Sequence, residues 1–267
     1  MKHEIPANAN RSPGRFSPFA FAVIADPHLE TPDQRGVEKM RQAIDKINRQ
    51  ADIAFVLILG DLIWHQPLSK LKALLANLRV PSHLVLGNHD TRTIADYGHE
   101  FGPLYYTFEH AGCLFVGLWN AVPALSEPRS HEGDLDDAQI AWTERTLRNV
   151  TRRQPSYRHT FLFMHVPPNY EGLEERSLRM RPPTTEILYR WCKQFSVTAC
   201  FFGHIHREES FSLAGTQFVT TASLNWNFPD AGTSNEDRDF GGYRIVRVHE
   251  RSITHEFKLT HEFGRDY

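Results

Sequence analysis

The chain has three cysteines in 267 residues, Cys113, Cys192 and Cys200, an odd number that cannot all pair within one chain. Cys113 and Cys200 fall inside strand-like apolar segments, so the set reads as buried free thiols of a reducing compartment and not as a disulfide framework. No stretch of about 18 apolar residues occurs, which argues against a membrane-spanning helix. Neither sign of charge dominates: 30 Lys and Arg against 32 Asp and Glu leave a formal net charge of -2, with no overall footprint for nucleic acid or an anionic membrane. The first 20 residues lack an apolar signal core and carry Pro6, Pro13 and Pro18 among scattered charges. Residues 1–20 are therefore expected to form a flexible leader, with the cytoplasm as the compartment. Paired-cysteine zinc motifs, a glycine-rich phosphate loop after a strand and a serine nucleophile with a base partner are missing as well.

With 40% hydrophobic and 23% charged residues, the chain is long enough to bury a substantial core. Its most informative stretch is Leu84-Val85-Leu86-Gly87-Asn88-His89-Asp90, an apolar run that stops abruptly in three side chains able to bind a cation or move a proton. Four other runs end alike. Phe21 to Ala25 meets Asp26-Pro27-His28, Ile53 to Leu59 meets Gly60-Asp61, Phe161 to Met164 meets His165, and Ala199 to Phe202 meets Gly203-His204-Ile205-His206. Ligands in open α/β sheets bind outside the carboxyl ends of strands, so the repetition points to one shared site.

Between these runs, Val37, Met40, Ile44 and Ile47, then Leu68, Leu71, Leu75 and Leu78, recur at helical spacing. Strand and helix alternate, which predicts largely parallel strands covered by helices in the first half. Ala111-Gly112 between Tyr105 to His110 and Cys113 to Trp119 reads as a hairpin. Asp136-Asp137 opens a helix of about a dozen residues, and Ile187, Leu188, Trp191 and Phe195 mark another. Thr216 to Thr221, Tyr243 to Val248 and Ile253 to Leu259 have no helices between them, so this end is expected to be antiparallel. The predicted fold is α/β, two packed sheets with helices on the outer faces, as a single domain over residues 21–267.

The candidate donors are Asp26, His28, Asp61, Asn88, His165, His204 and His206. Taken singly each has a plain alternative: a solvated turn for His204 and His206, a turn amide for Asn88, a loop or helix-entry acid for Asp26. Together they exceed what one tetrahedral zinc needs, and mixed oxygen and imidazole donors suit Mn, Fe, Zn, Co or Ni, with Mn or Fe favoured. Two ions about 3.5–4 Å apart could share a carboxylate such as Asp61 and a water made acidic between them, whose hydroxide would be the nucleophile.

In the order Asp26-Pro27-His28, Gly60-Asp61, Gly87-Asn88-His89-Asp90, His165, Gly203-His204-Ile205-His206, the chain resembles the calcineurin-like metallophosphoesterases from about Phe21 to His206. The resemblance implies a four-layer α/β/β/α sandwich of two mixed sheets flanked by helices, and a dinuclear centre that hydrolyses phosphoesters. It implies Asp26, His28 and His206 on one metal, Asn88, His165 and His204 on the other, and Asp61 between them. His89 matches the family histidine that faces the phosphate, where it would donate a hydrogen bond or protonate the leaving oxygen. Asp90 is expected either to orient His89 or to serve as a turn or capping aspartate.

After Gly60-Asp61 comes Leu62-Ile63-Trp64-His65, where the related serine/threonine phosphatases carry Asp-Arg-Gly. The chain instead resembles the compact bacterial cyclic-nucleotide phosphodiesterases, including Gly133 to Leu147 with Gln139 and Trp142. A small phosphorylated substrate, a nucleotide such as a 3',5'-cyclic one, is expected to meet Asn88 and His89, and a rim of His65, the 166–183 loop and the 224–241 loop. Asn225, Trp226 and Asn227 there could stack or hydrogen-bond, with Asn225 the expected contact. The competing readings are a phosphomonoesterase, a nuclease on single strands, or a scaffold without catalysis; a homodimer is compatible with any of them.

Overall fold

The apolar runs are continuous because their strands are covered on both faces. In the computed structural model, which describes residues 16–29, 35–63, 67–127, 130–152, 156–170, 178–227 and 240–260, chain order begins β1 (Phe19–Ile24), α1 (Arg35–Asn48), β2 (Ile53–Leu59), α2 (Leu68–Leu75), β3 (Ser82–Val85) and α3 (Ile94–Glu100). It continues through β4 (Tyr106–His110), β5 (Cys113–Gly117), α4 (Pro123–Ser126), α5 (Asp137–Thr151), β6 (His159–Phe163) and α6 (Pro182–Phe195). Strands β7 (Ala199–Phe202), β8 (Glu209–Leu213), β9 (Thr216–Thr220), β10 (Gly242–Val248) and β11 (Ile253–Leu259) complete it. One sheet has the order β11-β10-β1-β2-β3, the other β4-β5-β6-β7-β9-β8. In the first sheet the parallel pairs β1-β2 and β2-β3 run to the β3 edge, with β10 and β11 antiparallel on the other side; in the second the parallel pairs β5-β6, β6-β7 and β7-β9 lie in the middle, flanked by antiparallel β4 and β8.

Alternate residues of each strand feed different cores. Phe21 and Val23 of β1, Phe55 and Leu57 of β2, Phe115 of β5, Phe161 and Phe163 of β6 and Phe201 of β7 meet between the sheets. The intervening Ala22, Ile24, Val56 and Ile58 pack outward against Met40 and Ile44 of α1 and Leu71 of α2. On the far side Leu162, Cys200 and Phe202 pack against Leu147 of α5 and Leu188 and Trp191 of α6. This is the expected four-layer α/β/β/α sandwich. Each such large side chain contributes about 1.5–3 kcal/mol by leaving water, and Phe21 adds ring contacts, stacked on Phe55 at 5.0 Å and edge-on to Phe115 and Phe201 at 5.5 Å.

Local signals account for several boundaries. Asp136 Oδ1 caps α5 by accepting the Gln139 N–H at 2.7 Å, and Pro182-Pro183 opens α6, where a missing N–H costs nothing. The hairpin at Ala111-Gly112 forms with left-handed backbone at both residues (φ 45° and 75°).

Three expectations change. Strand β1 starts at Phe19, inside the segment expected as leader, because Phe19 and Ala20 pair with Val248 and Arg247; residues 1–15 lie outside the described residues. The C-terminal strands are not all antiparallel: β9 lies parallel to β7, because the edge strand β8 turns back through Ala214-Gly215 and returns the chain in the direction of β7. Helix α3 and its 3-10 lead-in at Thr91–Thr93 fill a stretch that the apolar pattern left blank.

His83 on β3 stacks on Phe108 at 3.5 Å and meets Phe55 edge-on at 5.7 Å. Burial, with His110 nearby, lowers its pKa to about 4, whereas in the unfolded chain it titrates near 6.5. The folded state thus resists a proton that the unfolded state takes up, so the contribution is complete above about pH 6.5 and is lost as pH falls towards 4. Between pH 7 and 4.5 the unfolding free energy of the wild type should fall by on the order of 2 kcal/mol more than that of His83→Phe in urea titrations. Parallel pH profiles for the two proteins contradict this.

Candidate metal centre

The parallel strands of both sheets end on the same side, and the turns leaving them carry the donors. Five of these residues sit in left-handed backbone: Asp26 (φ 49°), His28 (40°), Asp61 (49°), His204 (75°) and His206 (50°), out of eight such non-glycine residues among those described. Each costs on the order of 1–3 kcal/mol, so something must hold them. The turns brace one another: His28 N–H donates to Asp61 O at 2.9 Å, His204 N–H to Asp26 Oδ2 at 2.8 Å, Gly203 N–H to His165 O at 3.0 Å, and Ser223 Oγ–H to Asp26 O at 2.8 Å.

Two groups of side chains result. Donor atoms of Asp26, His28 and His206 lie within 4.8 Å of one another, as do those of Asp61, His165 and His204. Asp61 faces both: its Oδ2 is 3.6 Å from His28 Nε2, and its Oδ1 is 3.3 Å from His165 Nε2. Asn88 joins the second group with Oδ1 3.2 Å from His165 Nε2. The structure thus brings all seven predicted donors together, each of them buried.

Backbone carbonyls orient the imidazoles. His206 Nδ1–H donates to Trp226 O at 2.7 Å and His165 Nδ1–H to Leu59 O at 2.6 Å, which turns both Nε2 atoms inward. The His206 and His28 Nε2 atoms then face each other at 3.2 Å. Burial pushes the Asp26 and Asp61 carboxyls up, but the histidines around them pull harder, so Asp26 lies below the ordinary carboxylate value and Asp61 well below it. Burial lowers His28 to about 4 and, with His165 beside it, His204 to about 3; His165 itself resists burial through Asp61 and Asp26 and rises to about 9.

This donor set fits cations. Asp26 Oδ1 and His204 Nε2 are buried with no hydrogen-bond partner among the described residues, which is costly unless they bind something else. The space is kept by glycines: a Cβ on Gly60 would meet His165 Nδ1, one on Gly87 would meet Asp61 Oδ1 and His165 Nε2, and one on Gly203 would meet Asp26 Oδ2.

The other expected residues fall out differently. His89 has its backbone N–H on Asp61 Oδ1 at 3.0 Å and its ring at the opening, 32% exposed, with Nε2 3.9 Å from Asp61 Oδ2. Asp90 is buried, and its oxygens accept the N–H groups of Leu62 (2.9 Å), Gly87 (2.8 Å) and Ile63 (3.3 Å). It is a clamp between two site turns, and this replaces the role of orienting His89. Burial and nearby Asp61 raise its pKa to about 7 in spite of those amides. Asn225 is not a rim residue: it is 2% exposed, and its Nδ2 reaches back to His28 O at 3.4 Å. His65, residues 171–177 of one expected rim loop and residues 228–239 of the other lie outside the described residues.

Two residues, Asn120 and His131, escaped the sequence reading, and two that it named, Gln139 and Trp226, take roles that it did not specify. Asn120 Oδ1 accepts the N–H groups of His165 and Val166, fixing that turn, and Gln139 brackets the backbone of Trp119 just before it. His131 Nδ1 lies 3.2 Å from Asn88 Nδ2; its one signal was its place two residues ahead of Gly133. Trp226 presents its ring to His206 and His28.

The calcineurin-like phosphoesterase family model matches residues 19–208. A probable cyclic nucleotide phosphodiesterase of Rhodopseudomonas palustris is 31% identical over 219 residues, covering 74% of this chain and 75% of that protein. The 3',5'-cyclic adenosine monophosphate phosphodiesterase of Haemophilus influenzae is 25% identical over 255 residues, 88% of each. Among solved structures, purple acid phosphatase from yellow lupin seeds superposes with a TM-score of 0.66 at 16% identity, covering 93% of this chain and 52% of that one, about half its length. The chain belongs to the calcineurin-like phosphoesterase family. It is a metal-dependent phosphoester hydrolase, and the family's divalent ions have two candidate donor groups here. Among the described residues no helix is long and apolar enough to cross a membrane.

Gly87→Ala tests the cradle without removing a donor. The variant should keep its far-UV circular dichroism but retain at least about ten-fold less manganese after desalting, because the methyl displaces Asp61 and His165 together. Wild-type metal content in this variant would contradict the geometry.

Proposed function

We propose that the protein hydrolyses phosphodiester bonds of a small nucleotide, such as a 3',5'-cyclic nucleotide, with residues 19–267 acting as one catalytic unit in the cytoplasm. The observation that carries the reading is Asp61, whose two oxygens face two separate donor groups with His89 at their shared opening. The two bacterial relatives bearing cyclic nucleotide phosphodiesterase names support the substrate class, and three free buried cysteines suit the compartment.

In this reading Asp26, His28 and His206 would hold one ion and Asn88, His165 and His204 the other, with Asp61 able to serve either, and Mn or Fe as the favoured occupants. Bound ions of this kind supply Lewis acidity, making a water acidic and offsetting charge on a phosphate. The chain's own work is orientation and proton transfer. Leu59 O and Trp226 O keep two imidazoles in the tautomer that offers Nε2. Asn88 lies between the two rings, with Oδ1 on the His165 side and Nδ2 towards His131. His89, the exposed imidazole beside Asp61, donates to a nonbridging phosphate oxygen and delivers a proton to the leaving oxygen.

Manganese-loaded protein should cleave bis-p-nitrophenyl phosphate, and Asp61→Ala should reduce this to background; equal rates for the two proteins refute catalysis at this site. Cyclic AMP should turn over faster than phosphomonoesters, and the reverse order overturns the diester assignment. His89→Ala should lower kcat on cyclic AMP about 100-fold or more, and much less on bis-p-nitrophenyl phosphate, whose leaving phenolate needs no proton. Equal losses on the two substrates assign His89 to the phosphate oxygens alone.

A further inference from the structure

Trp226 has no part in the chemistry above except through its carbonyl. It follows β9 in a segment whose other polar groups are committed. Ser223 Oγ accepts the N–H groups of Asn225 and Trp226 at 3.0 and 3.2 Å, and Asn227 Oδ1 accepts Ser223 N–H at 2.8 Å while its Nδ2 donates to Phe240 O at 2.6 Å. Lys39 Nζ, buried on α1, donates to Asn225 O at 2.5 Å. The indole is therefore carried on a firm mount.

That indole is half-buried, its centroid 4.1 Å from the His206 ring and 6.1 Å from that of His28, lying within 23° of the His28 plane. The backbone carbonyl, not the ring, accepts His206 Nδ1–H. Among the described residues, the other rings beside these imidazoles are themselves imidazoles, His89 against His28 and His131 against His204. The site is thus asymmetric. An aromatic wall stands beside Asp26, His28 and His206, and an imidazole leans on Asn88 at the other end.

Resting on the reading that a phosphodiester lies across both donor groups, we infer that Trp226 is the platform on which the substrate's base stacks. A flat π-faced base gains from an indole what an alkyl or bare sugar arm does not. Trp226 is then a specificity-determining residue that favours nucleoside phosphodiesters over other small diesters.

The test compares 3',5'-cyclic AMP with abasic ribose 3',5'-cyclic phosphate on manganese-loaded wild type, Trp226→Phe and Trp226→Leu. Wild type should favour the base-bearing diester by about ten-fold in kcat/KM, mainly through KM. Trp226→Phe should keep most of that preference, and Trp226→Leu should bring the two diesters within about two-fold. Equal losses on both diesters would make the indole merely a wall of the metal group and overturn the platform, as would a preference that survives in Trp226→Leu. A binding arm, AMP against ribose 5-phosphate by calorimetry, needs no turnover. Should neither cyclic diester be cleaved while bis-p-nitrophenyl phosphate is, the cyclic-nucleotide reading fails. The platform then stands if wild type binds AMP about ten-fold tighter than ribose 5-phosphate and Trp226→Leu erases the difference, and falls otherwise.

Discussion

Two carboxylates and four imidazoles, all but sealed from water, converge between the ends of two sheets, and everything else in the molecule answers to the cost of keeping them there. A buried carboxylate is tolerated only beside compensating charge or donors. Asp26 and Asp61 obtain both, from neighbouring turns and from the imidazoles: His204 N–H bonds Asp26 and His89 N–H bonds Asp61, while His206 and His165 stand against them. The arrangement still leaves Asp26 Oδ1 and His204 Nε2 without hydrogen bonds. An assembly so acidic at its centre, so strained in its backbone and so short of donors makes physical sense as a holder of cations.

The fold meets the strain by making the turns interdependent. Asp90 ties the turn after β2 to that after β3 through three amides, Asn120 ties the turn after β5 to that after β6, and Ser223 reaches from beyond β9 to the turn after β1. Behind them, Phe21, Phe55, Phe115, Phe161 and Phe201 lock the sheets face to face, so no strand end can retreat without opening a well-packed aromatic core. Arg244, buried, holds Glu208 just past His206, and Glu208 in turn accepts Ala222 N–H, which couples the last site turn to β10.

The strand ends were legible because a polar residue type at the end of an apolar run is a local pattern, and repetition multiplied its weight. The layers were legible for a similar reason: strands buried on both faces read as unbroken apolar runs. What was hidden depends on direction in space. Nothing in Gly-Asn-His-Asp says that Asp90 turns back to backbone amides while His89 turns out. Nothing in Asn225-Trp226 says that the amide turns back to the buried carbonyl of His28 while the indole stands beside the His28 and His206 rings. Strand β8 was missed because an edge strand with Glu209, Ser210 and Ser212 lacks an apolar signature. His131 was missed because it reaches the site from a loop, where no periodicity operates.

The central claim is that Asp61 stands between two cations, and anomalous scattering from crystals grown with manganese tests it most directly. The account predicts two peaks about 3.5–4 Å apart, one against Asp26, His28 and His206 and the other against Asn88, His165 and His204, with Asp61 touching both. A single peak, or two peaks that do not share Asp61, would contradict it.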